Sequence, residues 1–337
     1  MTTSAKTMKD IALAAGVSVM TVSRAFRSDS SVSLATRLRI RNIADELGYV
    51  LDSTAANLRT QKTGFVAVTI PSINNANFAD TVGALSDRLE LAGMQVLLAN
   101  CGYDQAKEEK LIEQLLRRRP EAIVVTGGSH TDRARKMLAN AGIPVVETWD
   151  LPADPIGHVV GFSNAATMHG MVDHLVAKGL TRIAFIGGET DQDTRGTDRR
   201  RGFVAAMQRH GLPPDRLIKA GKPPISMREG AAAMGRLLDT LPDTQAAICV
   251  SDLSAFGALT ECQRRGVAVP QGIAIAGFGA YEIAAISHPA ITTIDPQPRL
   301  IGVRAAELIL QLLSRHGAHA IPKTIEIDWQ LKPAQTT

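Results

Sequence analysis

The chain has 337 residues, with 37 Lys and Arg against 33 Asp and Glu, three cysteines, 45% hydrophobic residues and 4% aromatic ones. A composition near the globular mean excludes a wholly disordered, collagen-like or low-complexity chain, and no apolar run approaches the roughly 18–20 residues that a bilayer-spanning helix needs. The length suits two or three domains of about 100–200 residues each.

The charge is unevenly placed. Residues 1–62 carry nine basic and five acidic side chains, whereas the other 275 residues carry 28 of each sign, so the whole +4 sits in the head. That asymmetry describes a basic head for a polyanion on an electrically neutral body. The opening MTTSAKTMKDIALAAG places Lys6, Lys9 and Asp10 where a secretory leader needs an apolar core, so the expected compartment is the cytoplasm, with no membrane partner. Cys101, Cys249 and Cys262 are odd in number and mostly far apart; reduced thiols are expected rather than a disulfide framework or a zinc site.

The head reads as short helices. Thr7, with Asp10 three residues on, caps a first helix to Ala15; Gly16 breaks it. Ser18 caps a second helix to about Phe26, and Ser33 a third to Leu47, which Gly48 stops. Leu34, Leu38, Ile43 and Leu47 keep helical spacing on the third. From Gly64 apolar strands alternate with amphipathic helices. The strands are expected at 64–70, 95–100, 122–126, 144–148, 182–187, 246–251 and 272–278, with helices such as Phe78–Ala92, Ala106–Arg117 and Ala165–Lys178 between them. Continuous apolar strands alternating with helices imply parallel sheets buried on both faces. About 275 residues of this pattern suit two lobes. Ligands in such folds lie beyond the carboxyl ends of the strands, here at Ile70–Asn77, Thr126–His130, Thr148–Asp150, Gly187–Arg201, Ser251–Asp252 and Gly277–Ala280.

Residues 8–27, MKDIALAAGVSVMTVSRAFR, have the build of a helix-turn-helix: a helix, a Gly-centred turn, then a second helix starting at Val19-Met20-Thr21 and carrying Ser23, Arg24 and Arg27. Ala12, Ala15, Val17 and Val22 are small or apolar, as two crossed helices require. In such a motif the second helix enters the major groove. Arg and Ser bond bases or phosphates there, while Val and Met pack on thymine methyls. An ordinary helical hairpin has the same spacing.

The string AGVSVMTVSR, followed by VSLATRLRI and ADELGY, resembles the head of the LacI/GalR family of bacterial transcription regulators. The resemblance extends over the whole chain, and implies an N-terminal all-α helix-turn-helix head with a hinge helix, plus an α/β two-lobed, periplasmic-binding-protein-like effector domain of parallel sheets. It implies DNA contacts at Thr7, Ser18, Val19, Met20, Thr21, Ser23 and Arg24, and phosphate contacts at or beside Arg27, Ser31, Ser33, Thr36 and Tyr49. Leu51-Asp52 replaces the Pro-Asn usual before the hinge helix, which would cover STAANLRT (53–60) and wedge Leu58 into a minor-groove step. The head and hinge are expected over 1–61 and the effector domain over 62–337. Its first lobe would take about 62–162 and 294–321, and its second about 163–293 and 322–337, ending in the strand TIEIDWQL (324–331). A homodimer on near-palindromic double-stranded operator DNA follows from the resemblance. Only six residues, without heptads, follow Leu331, so no tetramer-forming helix is expected.

The same resemblance turns Arg199, before Gly202-Phe203, toward the effector and places Phe78 and Trp149 on it. Asn77, His130, Glu147, Ser251 and Gly279 complete the candidate set. The neighbouring Arg195, Arg200 and Arg201 read equally well as a solvated cluster. Asp252 is expected to cap the helix that follows it. Gly279-Ala280 replaces an Asp pair common after the Gly-Phe, and SVMTVSRAFR, CGYD, SHTDR, GIPVVE and AIAGF resemble the gluconate-repressor branch. A pocket with Arg199 and no Asp at 279–280 suits an anion. Gluconate or a related aldonate ranks first as effector, a sugar phosphate such as 6-phosphogluconate second and a neutral sugar third; a purine also suits a cationic, aromatic pocket. An enzyme reading fares worse: G-x-G-x-x-G, HExxH and G-x-S-x-G are all missing from the sequence, so no catalytic residue, metal or cofactor is expected. A cytoplasmic sugar-processing enzyme is the alternative class.

Overall fold

A computed structural model describes residues 6–26, 31–50, 63–188, 193–314 and 321–337, and divides the chain into two compact units, Met1–Thr63 and Gly64–Thr337. In the first, α1 (Met8–Ala15), α2 (Val19–Ala25) and α3 (Leu34–Glu46) surround a small core. Ile11, Val22, Ala25 and Ile40 are fully buried there, with Ala12, Ala15 and Ala44. Alanine at the crossings lets the backbones approach, so one isoleucine from each outer helix suffices to fill the centre. The Asp10 carboxylate accepts from both the Thr7 amide and the Thr7 hydroxyl at 2.8 Å, fixing the start of α1. Leu34 and Leu38 keep helical spacing, but both are exposed and it is Ile40 and Ala44 that face the core. A helical stripe identifies a face without saying which side it meets.

The body begins with β1 (Phe65–Ile70), α4 (Ala76–Glu90), β2 (Gln95–Asn100), α5 (Gln105–Arg117), β3 (Ala122–Thr126), α6 (Asp132–Ala139), β4 (Val145–Thr148) and β5 (His158–Gly161). It continues with α7 (Asn164–Ala177), β6 (Ile183–Gly187), α8 (Thr194–Arg209), β7 (Leu217–Lys219), α9 (Met227–Thr240), β8 (Ala246–Cys249), α10 (Asp252–Arg264), β9 (Ala274–Ala276) and α11 (Glu282–Ile286). The last elements are β10 (Thr293–Asp295), α12 (Pro298–Ser314), β11 (Thr324–Glu326) and β12 (Gln330–Lys332).

Two parallel sheets result, ordered β11-β5-β4-β3-β1-β2 and β7-β6-β8-β9. Helix α12 returns to the first sheet's lobe, where the Thr81 hydroxyl of α4 donates to the Pro298 carbonyl at 3.0 Å. The C-terminal segment departs from expectation. TIEIDWQL is not one strand of the second lobe: 324–326 pairs in parallel with β5 in the first sheet, whereas 330–332 pairs antiparallel with β10. Ile327 is buried, and its amide donates to the Gly161 carbonyl at 2.7 Å, holding the segment on the first lobe for one residue more before the chain crosses. The last residues then join the second lobe, with the Ile275 amide donating to the Thr336 carbonyl. Among the described residues, connections join the lobes after β5, around β10 and between β11 and β12. Among the described residues no helix is long and apolar enough to cross a membrane.

Candidate functional site

In the head, two helix starts are built alike. The Thr21 amide donates to the Ser18 hydroxyl at 3.1 Å and the two hydroxyls lie 2.9 Å apart; Ser33 and Thr36 repeat the arrangement at 3.3 and 2.9 Å. Each serine meets one of the amides that a helix start leaves unbonded. Beyond Ser18, Val19 is 41% and Met20 61% exposed. Two apolar side chains are thus held at the solvent face of a capped helix start, beside exposed Arg24 and half-buried Thr21 and Ser23. Thr7, Ser31 and Ser33 are also exposed, and half-buried Tyr49 packs on Phe26 at 6.2 Å between centroids. Arg27 and Leu58 lie outside the described residues.

In the body, a cavity of about 220 Å³ opens between the ends of the two sheets. The first lobe lines it with Asn75, Asn77, Phe78, Tyr103 and Trp149, and the second with Asp193, Arg195, Arg199, Ser251, Phe278 and Tyr281. Five of the expected effector residues therefore meet: Asn77, Phe78, Trp149, Arg199 and Ser251. Phe78 meets Trp149 edge-on at 5.2 Å, Trp149 meets Phe162 at 5.8 Å, and Phe162 meets Phe278 at 6.1 Å, which makes one aromatic wall. Aromatic faces of this kind cover the C–H side of a carbon chain.

The polar side of the cavity is cationic. Arg199 is 9% exposed; its Nη1 donates to Asn164 Oδ1 at 2.6 Å and its Cζ lies 4.3 Å from the centroid of Phe278. Asn164 Nδ2 donates onward to the Trp149 carbonyl at 3.0 Å, so one buried amide orients both the arginine and the strained turn at Trp149, whose φ is 72°. Burial draws the Arg199 pKa below its ordinary value. Buried Arg199 Nε and Trp149 Nε1 have no hydrogen-bond partner among the described residues. Unmet buried donors of this sort are costly. Burial raises the Tyr103 phenol to about 12, so it too stays a neutral hydroxyl.

Three expected residues do not line the cavity. His130 is enclosed, its Nδ1 2.8 Å from Glu108 Oε2 and its Nε2 3.1 Å from the Gly127 carbonyl. Burial opposes the imidazolium, but the Glu108 carboxylate outweighs it and lifts the pKa above its ordinary value. Glu147 is fully buried in β4, where its Oε2 accepts from the Ile156 amide at 2.6 Å; burial raises its pKa. Both belong to the packing of the first lobe. Gly279 stands beside the cavity in a turn with φ 129°, where an added Cβ would lie 2.9 Å from Asn77 Nδ2 and closer still to the Tyr281 ring. Asp252 does not cap its helix either. Ser251 does, accepting from the Ser254 amide, while Asp252 accepts from the Thr293 hydroxyl at 2.6 Å and the Tyr281 amide at 2.8 Å. It pins the turn that carries Tyr281, whose hydroxyl donates to Asn75 Oδ1 across the cleft at 2.8 Å.

Arg195, Tyr103, Asn75, Asp193, Phe278 and Tyr281 were not named as effector residues, although Asn75, Asp193, Arg195 and Phe278 fall within the strand-end segments where ligands were expected. For Arg195 a signal was present: it stands four residues before Arg199, on the same face of one helix.

Comparison with known proteins supplies the family. Residues 7–52 match the bacterial regulatory proteins of the lacI family, and residues 172–337 the periplasmic binding protein-like domain. The chain is 34% identical over 336 residues to the HTH-type transcriptional regulator GntR of Pseudomonas aeruginosa, covering 100% of this chain and 97% of the relative. It is 32% identical to the HTH-type transcriptional regulator IdnR of Escherichia coli, covering 98% of each. A solved LacI-family transcriptional regulator from Silicibacter pomeroyi superposes with a TM-score of 0.92 at 31% identity, covering 98% of this chain and 99% of that one. The capped helix-turn-helix and the two-lobed body with its cleft are therefore those of a transcriptional regulator, and the chain belongs to the lacI family of bacterial regulatory proteins.

Proposed function

We propose that the protein is a cytoplasmic, homodimeric repressor that binds a near-palindromic operator and is released from it by a sugar acid of the gluconate type. Two exposed apolar residues at the start of α2, flanked by hydroxyls and Arg24, suit contacts to thymine methyls and phosphates. One observation carries the effector reading: a cavity of sugar size holds a buried arginine beside an aromatic wall. A polyhydroxylated carboxylate offers acceptors to the arginine, hydroxyls to Asn75, Asn77 and Tyr103, and a C–H face to Phe78 and Trp149. The relatives' naming as transcriptional regulators supports the operator half of the reading.

Effector and operator must weaken each other's binding by the same factor if one conformational equilibrium serves both. Calorimetric titration of the purified chain with gluconate, 6-phosphogluconate, glucose, galactose and hypoxanthine tests the reading. Gluconate is expected to bind tightest, and binding of a neutral sugar alone would overturn the proposal.

A further inference from the structure

Arg195 is a buried charge with weak ties. It is 6% exposed, yet its ties to other described residues are a 3.4 Å contact from Nη1 to the Thr126 carbonyl and a 3.9 Å approach of Nη2 to Asp193 Oδ1, with its Cζ 5.5 Å from the centroid of Phe78. A guanidinium carries five N–H donors, and contacts of this length are weak. Its place on the helix adds to the imbalance. Arg195 lies in the first turn of α8, where the helix dipole already disfavours a cation, and one turn from Arg199, a like charge at i,i+4. Against these two buried cations, the lining offers a single carboxylate among the described residues, Asp193. Among the described lining residues, cations therefore outnumber anions by one.

The two arginines are tied to different lobes. Arg199 is held within its own lobe by Asn164, whereas Arg195 reaches across the cleft to the end of β3. Gly127, the next residue, has φ 93°, and an added Cβ would stand 2.6 Å from Arg195 Nη1. The missing side chain at Gly127 therefore makes the room that this guanidinium occupies against the first lobe.

We propose that Arg195 selects the acidic effector and reports its arrival to the first lobe, by exchanging the Thr126 carbonyl for a carboxylate of the ligand. A carboxylate can take two short parallel bonds from a guanidinium, so a single 3.4 Å carbonyl contact gives way to it. The exchange removes a polar tie between the lobes when the cleft fills. The proposal rests on the sugar-acid reading and extends it to a residue with its own test.

Full-length wild type, Arg195→Gln and Arg195→Lys are titrated calorimetrically with gluconate and with glucitol, which has the same carbon chain and no carboxylate. Arg195→Gln is expected to weaken gluconate binding at least about tenfold, as loss of a charged hydrogen bond implies, and to leave glucitol binding within about twofold. Arg195→Lys keeps the charge without the planar fork and is expected to recover part of the loss. At saturating gluconate the operator affinity of Arg195→Gln should fall less than that of wild type. Wild-type gluconate affinity in both variants overturns the proposal and leaves the sugar-acid reading standing, as does an equal loss of gluconate and glucitol. If wild type binds only neutral sugars, the sugar-acid reading fails and the proposal fails with it.

Discussion

The head and the body place their working residues in opposite ways. In the head, apolar Val19 and Met20 stand in solvent while the core is made of little more than two isoleucines, a valine and alanines. In the body, charged Arg195 and Arg199 are buried while a large apolar core surrounds the sheets. Each inversion costs stability when the site is empty, because apolar surface is left in water in one case and charge is taken out of it in the other. Under the proposed function, a partner covers each of them, DNA bases outside and an anion inside. The head also has little stability to spare, since so short a unit buries few large side chains.

Substitutions can break this contrast one side at a time. The largest effect is expected from Ile40→Ala, which empties the centre of the head at about 2–5 kcal/mol. Operator binding measured by fluorescence anisotropy should collapse, while calorimetric affinity for the effector stays unchanged. Arg199→Ala should do the reverse, weakening acid-sugar binding about ten- to a hundredfold, as loss of a charged hydrogen bond implies, with operator binding intact. Ser18→Ala removes the hydroxyl that accepts the Thr21 amide and should cost the head about 1 kcal/mol, read as a lower midpoint of its unfolding.

Two smaller effects sharpen the comparison further. Exchanging Val19 and Met20 for Tyr and Gln should move stability by less than about 0.5 kcal/mol, because neither side chain is buried. The half-site recovered by binding-site selection should nevertheless change, since Gln offers adenine a bidentate pair that Met cannot. An unchanged half-site would remove these residues from operator reading. In the body, burial pushes the Asp252 carboxyl from an ordinary 3.8 up to about 7, against the bonds that Thr293 and Tyr281 donate to it. The native state then holds a proton that the unfolded chain has released, so this group's contribution to stability is full below about pH 4 and is lost as pH rises toward about 7. Asp252→Asn should remove that loss, seen as a flatter profile of urea midpoint against pH than wild type shows.

What the sequence disclosed depended on whether a signal was local. The apolar runs of β1, β3, β6 and β8 were legible because each is buried on both faces, and the caps at Thr7, Ser18 and Ser33 because a cap acts within a few residues. The short strands β5, β7 and β10 were not expected, because none of them lies in a long apolar run. The break in the last strand is set by the partners of Ile327 and Leu331, on two different sheets. In the cleft, Phe78, Trp149 and Arg199 were legible from rarity, strand-end position and resemblance. His130 and Glu147 shared those positions but are taken up by Glu108 and the loop at 156–157, partners the local sequence does not announce. Arg195 failed the other way: a charge among arginines reads as solvated until the tertiary fold buries it.

The central claim is that one conformational equilibrium joins the exposed helix of the head to the buried cations of the body. Operator affinity of the full-length protein, measured by fluorescence anisotropy on a selected palindromic site with and without saturating gluconate, tests it most directly. Gluconate is expected to weaken operator binding, and operator DNA to weaken gluconate binding by the same factor. Operator affinity unmoved by gluconate, in protein that calorimetry shows to be occupied, would contradict it.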